Sequence, residues 1–347
     1  MRKVGSMSIL AVVMFAAAVF LNGATDAVNS VTGAVFGGEM SIGRASLIAA
    51  VCEFAGGVIS ARFFPGVMGT VEGLADIPHK YGAAAAATVL ASVAVWSAVA
   101  WLIGVPTSEG HGVMAAMTGT SVALCGYTGV GAGQWIEVLS GLALSVAVGT
   151  VAGALLRISL FKANNGKERK GTFITLAGKK RFLRLGLCFS AFLHGAQDFQ
   201  KFLALMYASG LFIKGDSVCV YIGSALLFCG TLCSGSRIVE KTGRTLADLD
   251  TDSAVCADLA SFLILLSATL AGVPVSTTCV KVSAATGSGR IAGLLTEKKR
   301  VATWCNHSKG CKKSSSLTAF LTVSAMWLLT FPVCFLLAFF ITKLLII

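Results

Sequence analysis

Phe20-Leu21-Asn22-Gly23-Ala24-Thr25-Asp26 returns, changed at two positions, as Phe192-Leu193-His194-Gly195-Ala196-Gln197-Asp198. A second stretch, Gly104-Val105-Pro106-Thr107-Ser108, returns as Gly272-Val273-Pro274-Val275-Ser276. The aspartates Asp26 and Asp198 are 172 residues apart and the serines Ser108 and Ser276 are 168 apart. Two motifs kept in one order at nearly one spacing mark an internal duplication, because chance likeness between apolar helices does not preserve spacing. The halves read as residues 1–161 and 184–347, joined by a basic linker at 162–183.

Around these motifs the chain is too apolar for water. Of its 347 residues 55% are hydrophobic and 13% charged, against about 25% charged in soluble domains. Mean hydropathy is +0.81. A spanning helix takes roughly 20 apolar residues, and apolar runs between polar breaks give ten candidate segments: 7–36, 46–62, 82–103, 105–126, 135–157, 184–213, 217–235, 253–272, 273–291 and 318–343. The first is read as a retained membrane helix rather than a cleaved signal, since no small-residue cleavage site precedes a polar mature domain. The expected fold is an all-α membrane protein of about ten transmembrane segments.

Five crossings per half is an odd number, so the second half enters the bilayer from the opposite side and the repeat is inverted, as in many secondary transporters. Charge supports this arrangement. Nine Lys and Arg residues fall between Arg157 and Arg184 and seven between Arg290 and Lys313. With Arg44, Arg237, Lys241 and Arg244, 20 basic residues face the cytoplasm and six face outside, the positive-inside bias. That bias also accounts for the net charge of +12 without nucleic acid as a partner. The expected location is a bacterial plasma membrane, with both main basic loops cytoplasmic.

Ionisable groups at membrane depth are costly and mark function by default. Asp26 stands in Asn22-Gly-Ala-Thr-Asp26-Ala-Val-Asn29, and Asp198 in His194-Gly-Ala-Gln-Asp198-Phe-Gln200-Lys201. The Gly-Ala step lets the backbone approach a neighbour closely or unwind, so the first and sixth segments are expected as broken helices. Asn22, Asp26, Asn29, Asp198 and Gln200 then supply hard oxygen ligands for a coupling cation, with Asp26, Asn29 and Asp198 holding Na⁺ if sodium is used, or an aspartate carrying a proton. The alternative is a pair of buried polar caps.

In the second motif pair, Pro106-Thr107-Ser108-Glu109-Gly110-His111 faces Pro274-Val275-Ser276-Thr277-Thr278-Cys279. A proline at a helix start followed by hydroxyl residues exposes backbone N–H groups, which together with the positive helix end suit an oxyanion. Ser108, Glu109, His111, Ser276, Thr277 and Thr278 are the candidate anion residues; Ser/Thr packing between helices is the plainer alternative. These segments, 105–126 and 273–291, are either re-entrant or fully spanning. Lys201 and Lys281 balance charge, either on the anion or by pairing with Asp26, Asp198 or Glu109. His111 and His194 are proton relays or simple packing residues.

Most of the eleven cysteines lie inside apolar runs and act as small hydrophobes. Cys305-Asn-His307-Ser-Lys-Gly-Cys311 lacks the paired spacing of a closed zinc site.

The Gly-Ala-x-Asp repeats together with Pro274-Val275-Ser276-Thr277-Thr278 resemble the PiT family of inorganic phosphate transporters, over nearly the whole chain. The resemblance implies phosphate at Ser108, Ser276, Thr277 and Thr278, a coupling ion at Asp26, Asn29, Asp198 and Gln200, no resident cofactor, a homodimer, and sometimes a cytoplasmic PhoU-like regulator. Two departures from the family pattern stand out: Glu109-Gly110 stands for Thr-Thr and Cys279 for His. A carboxylate beside an anion repels it unless neutralised, so Glu109 is expected to carry a proton or cation. The same fold moving sulfate is the nearest rival, and an anion channel or transporter-like receptor is a rival of another class. An intramembrane hydrolase built on Ser108 and His111 lacks an orienting acid.

Overall fold

The protein is described by a computed structural model covering residues 2–103, 107–163, 176–234, 249–295 and 316–347. Pro106, most of the basic linker, Arg237, Lys241, Arg244, and the Cys305–Cys311 stretch lie outside these residues. In lipid every backbone polar group must be satisfied within the chain, which leaves the helix as the economical solution for apolar runs. The described residues accordingly form helices, with a single isolated bridge between Ala75 and Val130.

All ten expected segments are helical. They are α1 (Arg2–Phe36), α2 (Ile42–Phe63), α4 (Gly82–Ile103), α5 (Glu109–Cys125), α6 (Ala132–Ala163), α7 (Leu176–Ala208), α8 (Ser217–Cys233), α9 (Thr251–Ala271), α10 (Thr277–Leu295) and α11 (Ser316–Leu345). A short unforeseen helix, α3 (Gly66–Glu72), follows α2. Both α6 and α7 run into the segment read as linker, α6 to Ala163 and α7 back to Leu176.

Six spans among the described residues are long and apolar enough to cross a membrane: Ser6–Phe36, Ile42–Phe63, His79–Ile103, Ala132–Ala163, Thr251–Ala271 and Ser324–Leu345. The other four expected segments fall short for identifiable reasons. Helix α7 opens with Lys179, Lys180, Arg181 and Arg184 and carries His194, Asp198 and Lys201 further on. Helix α8 has 17 residues, and α5 and α10 are short and rich in Gly, Ser and Thr.

One expectation fails. Helices α1 and α7 continue through Gly23-Ala24 and Gly195-Ala196 without a break. Close approach, the other use of a Gly-Ala step, is what the glycines serve. A Cβ on Gly23 would strike the Leu227 carbonyl of α8, and one on Gly195 the Glu53 carbonyl of α2. The partner helices reciprocate: Gly230 of α8 sits on the Phe20 carbonyl, and Gly56 of α2 on the Phe192 carbonyl. Each motif helix is thereby clasped by a helix of the other half. The second motif pair repeats the exchange, with α5 packed on α11 and α10 on α6.

The main core joins Leu90 and Val93 of α4, Met114 and Met117 of α5, and Phe199, Phe202 and Leu203 of α7, all fully buried. Ion pairs outside the core gather where α1 and α6 end and α7 and α9 begin. There Arg157 meets Asp250 at 3.0 Å, Lys179 meets Asp252 at 2.5 Å, and Glu39 takes Lys180 at 2.9 Å and Arg184 at 3.2 Å.

Candidate functional site

Helices α5 and α10 begin where α1 and α7 carry their polar motifs. Thr25, midway along α1, donates to Glu109 Oε1 at 2.6 Å, the first residue of α5. One turn further, Asn29 Nδ2 donates to Thr278 Oγ1 at 2.8 Å, in the first turn of α10. From α7, Asp198 Oδ2 accepts from Thr277 Oγ1 at 3.2 Å, and Lys201 Nζ donates to the Val275 carbonyl at 2.7 Å. The same ammonium lies against Gly110, where a Cβ would stand 2.6 Å from Nζ. The N-termini of both short helices therefore converge on one side chain, Lys201.

The centre is highly charged and sealed from solvent. Asp26, Glu53, Glu109, His194, Asp198 and Lys201 are none of them more than 3% exposed. Lys201 Nζ reaches Asp198 Oδ1 at 2.5 Å. His194 stands between acids on both sides: its Nδ1 is 2.9 Å from Glu53 Oε1, and its Nε2 is 3.2 Å from Asp198 Oδ2 and 3.7 Å from Asp26 Oδ2. Thr231 of α8 donates to the other Glu53 oxygen. Asp26, His194 and Asp198 offer ligand atoms within 4.8 Å of one another, a spacing that suits a cation.

Several buried atoms here have no hydrogen-bond partner within the protein: both amide atoms of Asn22, Asp26 Oδ1, Asn29 Oδ1, Glu109 Oε2 and both ring nitrogens of His111. Buried polar atoms are normally satisfied, so such a concentration marks a place built for something else to bind. His111 packs on Phe331 with ring centroids 5.5 Å apart.

The remaining expected residues divide. Ser276 Oγ caps α10 by accepting from Cys279 N at 3.2 Å, whereas Ser108 leads α5 without a side-chain cap. Gln200 is engaged elsewhere: its Oε1 accepts from Met68 N of α3 at 3.1 Å and its Nε2 donates to the Ala196 carbonyl at 2.8 Å. Lys281 pairs with none of Asp26, Asp198 or Glu109. It pairs with buried Asp258 of α9 and donates to Ser190 Oγ at 3.2 Å.

Two residues passed over in the sequence carry weight. Gln197 ties α7 to the approach to α10, its Oε1 taking Val275 N at 3.4 Å and its Nε2 reaching Thr269 at 3.0 Å. Glu53 orients His194, and as a lone acid in the run Cys52-Glu53-Phe54 it was open to detection by the membrane-depth rule.

A helical membrane bundle that brings two duplicated motif pairs to one buried polar centre is the build of a solute transporter. The chain matches the phosphate transporter family over residues 22–186 and 178–338, and it belongs to that family. Its membership ends the hydrolase reading and makes phosphate transport the function of the family it joins. A relative from Bacillus subtilis (strain 168), named "Probable low-affinity inorganic phosphate transporter", is 26% identical over 317 residues, covering 86% of this chain and 92% of its own length. One of the same name from Rhizobium meliloti (strain 1021) is 27% identical, covering 78% of this chain and 81% of itself. One from Mycobacterium bovis is 26% identical, and there the match spans 65% of the relative's length. The solved structure titled "The sodium-dependent phosphate transporter" shares the fold, with a TM-score of 0.80, 20% identity, and coverage of 98% of this chain and 99% of that one.

Proposed function

We propose that this protein carries inorganic phosphate across a bacterial plasma membrane in symport with Na⁺ or H⁺, by alternating access about the centre where α1, α5, α7 and α10 meet. The observation that carries the reading is the convergence of the α5 and α10 N-termini on motifs from both halves, in a sealed cluster with unpartnered oxygens and amides. Free backbone N–H groups and the positive ends of two helices hold a tetrahedral oxyanion. Ser108, Ser276, Thr277 and Thr278 supply hydroxyls beside them, with Glu109 and His111 on the α5 side. The oxygens of Asp26, Asn22 and Asn29, with Asp198 adjoining, hold the cation. The two halves form an inverted repeat of five crossings each, with the basic loops cytoplasmic. The protein works as a homodimer and offers those loops to a PhoU-like regulator.

Coupling follows from the bonds between the two sites. Asn29 touches Thr278 and Asp198 touches Thr277, so cation ligands and phosphate hydroxyls share side chains. A cation drawn to Asp26 and Asn29 therefore sets the rotamers that meet the anion, and each ligand stabilises the other's site by the same free energy. Labelled phosphate uptake into proteoliposomes tests the reading, with Na⁺ and pH gradients imposed separately and sulfate as competitor. Accumulation driven by either gradient and resistant to sulfate is expected. Uptake that sulfate abolishes assigns the machine to sulfate, and flux that neither gradient drives uphill makes it a channel.

A further inference from the structure

We infer that Lys201 is a tethered cation: its ammonium stands in the second half where a mobile coupling ion stands in the first, leaving one exchangeable cation per phosphate, held at Asp26. The inference rests on the symport reading above and concerns how many ions that symport moves.

The duplication supplies the register. The 172-residue offset that carries Asp26 onto Asp198 carries Asn29 onto Lys201. Each is three residues after its aspartate, on the same face of an unbroken helix. One half thus places a neutral amide beside its acid and the other a lysine.

Local bonding differs accordingly. Asp198 is closed: Oδ1 holds Lys201 at 2.5 Å and Oδ2 holds Thr277 at 3.2 Å. Asp26 is open: its Oδ1, the Asn29 Oδ1 and both Asn22 amide atoms have no partner within the protein, although all three residues are at most 5% exposed. Both aspartates face His194, Asp198 at 3.2 Å and Asp26 at 3.7 Å, and what Asp198 has in addition is the lysine.

The ammonium also sits as a bound ion would. It touches one carboxylate oxygen and the Val275 backbone carbonyl at 2.7 Å, the mixed donor set that transporters use for monovalent coupling ions near interrupted backbone. The glycine of the Glu109-Gly110 departure from the family pattern has a physical reason here. Gly110 lies so close to Nζ that any side chain there would displace the ammonium. Its three donors and the Gly110 opening together keep it at the centre, where its charge stabilises an incoming anion in place of a second ion.

The test is stoichiometry. In proteoliposomes of the intact protein, the Na⁺ or H⁺ gradient that just stops net labelled-phosphate flux gives the cations moved per phosphate. One is expected for the wild type, with a Hill coefficient near one for the driving cation. Lys201→Asn, which gives the second half the residue of the first, is expected to raise the Hill coefficient toward two and add one positive charge per phosphate. A wild type that moves two or more exchangeable cations per phosphate overturns the inference while leaving symport intact, and so does a Lys201→Asn protein that only loses phosphate affinity. If that variant fails to fold, the wild-type stoichiometry alone decides. Absence of gradient-driven phosphate uptake in the wild type would instead remove the symport reading itself.

Discussion

Glu109 and Asp26 are the residues where single-atom changes say most. Glu109 follows Ser108 at the head of α5, with Oε1 held by Thr25 at 2.6 Å and Oε2 without a partner. Glu109→Gln keeps the acceptor for Thr25 and removes the acid that faces the proposed phosphate site. Uptake is expected to persist with a phosphate KM lowered several-fold, about 1 kcal/mol of repulsion relieved, and with a flattened pH profile. Initial rates across the neutral range measure both, and an unchanged profile would deny Glu109 any carrier role. Asp26→Asn removes the charged ligand of the proposed cation site. A hydrogen bond or ligand contact to a charged group contributes about 1.5–3 kcal/mol, so apparent cation affinity should drop about 10- to 100-fold. A cation titration of phosphate uptake reads this directly, and an unaltered affinity would place the cation elsewhere. Lys281, by contrast, belongs to a separate buried pair with Asp258, packed against Gly33 and Gly186.

At the scale of helices, the exchange between halves depends on glycine contacts that admit no side chain. Gly230 rests on the Phe20 carbonyl and Gly56 on the Phe192 carbonyl, in each case at the first residue of an aspartate motif. An added methyl has to push a whole helix, since the atom it meets is backbone. Overpacking of this kind costs typically about 1–3 kcal/mol. Gly230→Ala and Gly56→Ala are therefore expected to lower the melting temperature in detergent and slow transport, whereas Gly43→Ala, which meets nothing within 4 Å, should do neither. Melting curves of the three purified variants provide the comparison. Helix continuity matters here too. Because α1 and α7 are unbroken, the alternating-access motion we propose is assigned to the short helices α5 and α10 rather than to the motif helices.

Across the whole molecule, the proposed five crossings per half place the basic loops on the cytoplasmic side and both termini outside. Single cysteines placed at Ile347 and at Lys170, in a chain cleared of native cysteines, test it. An impermeant maleimide on intact cells should label the C-terminal position, and the linker position only after permeabilisation. Labelling of both from outside would contradict the positive-inside assignment.

Composition, spacing and charge by themselves pointed to a helical membrane protein with two repeated motif pairs, and singled out Asp26, Asp198, Ser276 and Thr277 as candidates for its chemistry. Those features are local or periodic, and a one-dimensional record keeps them. Lys201 follows Asp198 by three residues on one helix, so that pair is local, whereas the meeting of Lys281 with Asp258, between α10 and α9, was decided only by the tertiary structure. Helix continuity through Gly-Ala was likewise invisible, because close approach and unwinding ask for the same residues and differ only in what lies opposite. Glu53 reached the site through α2, which carries no repeated motif, so its meeting with His194 is a fact of packing alone.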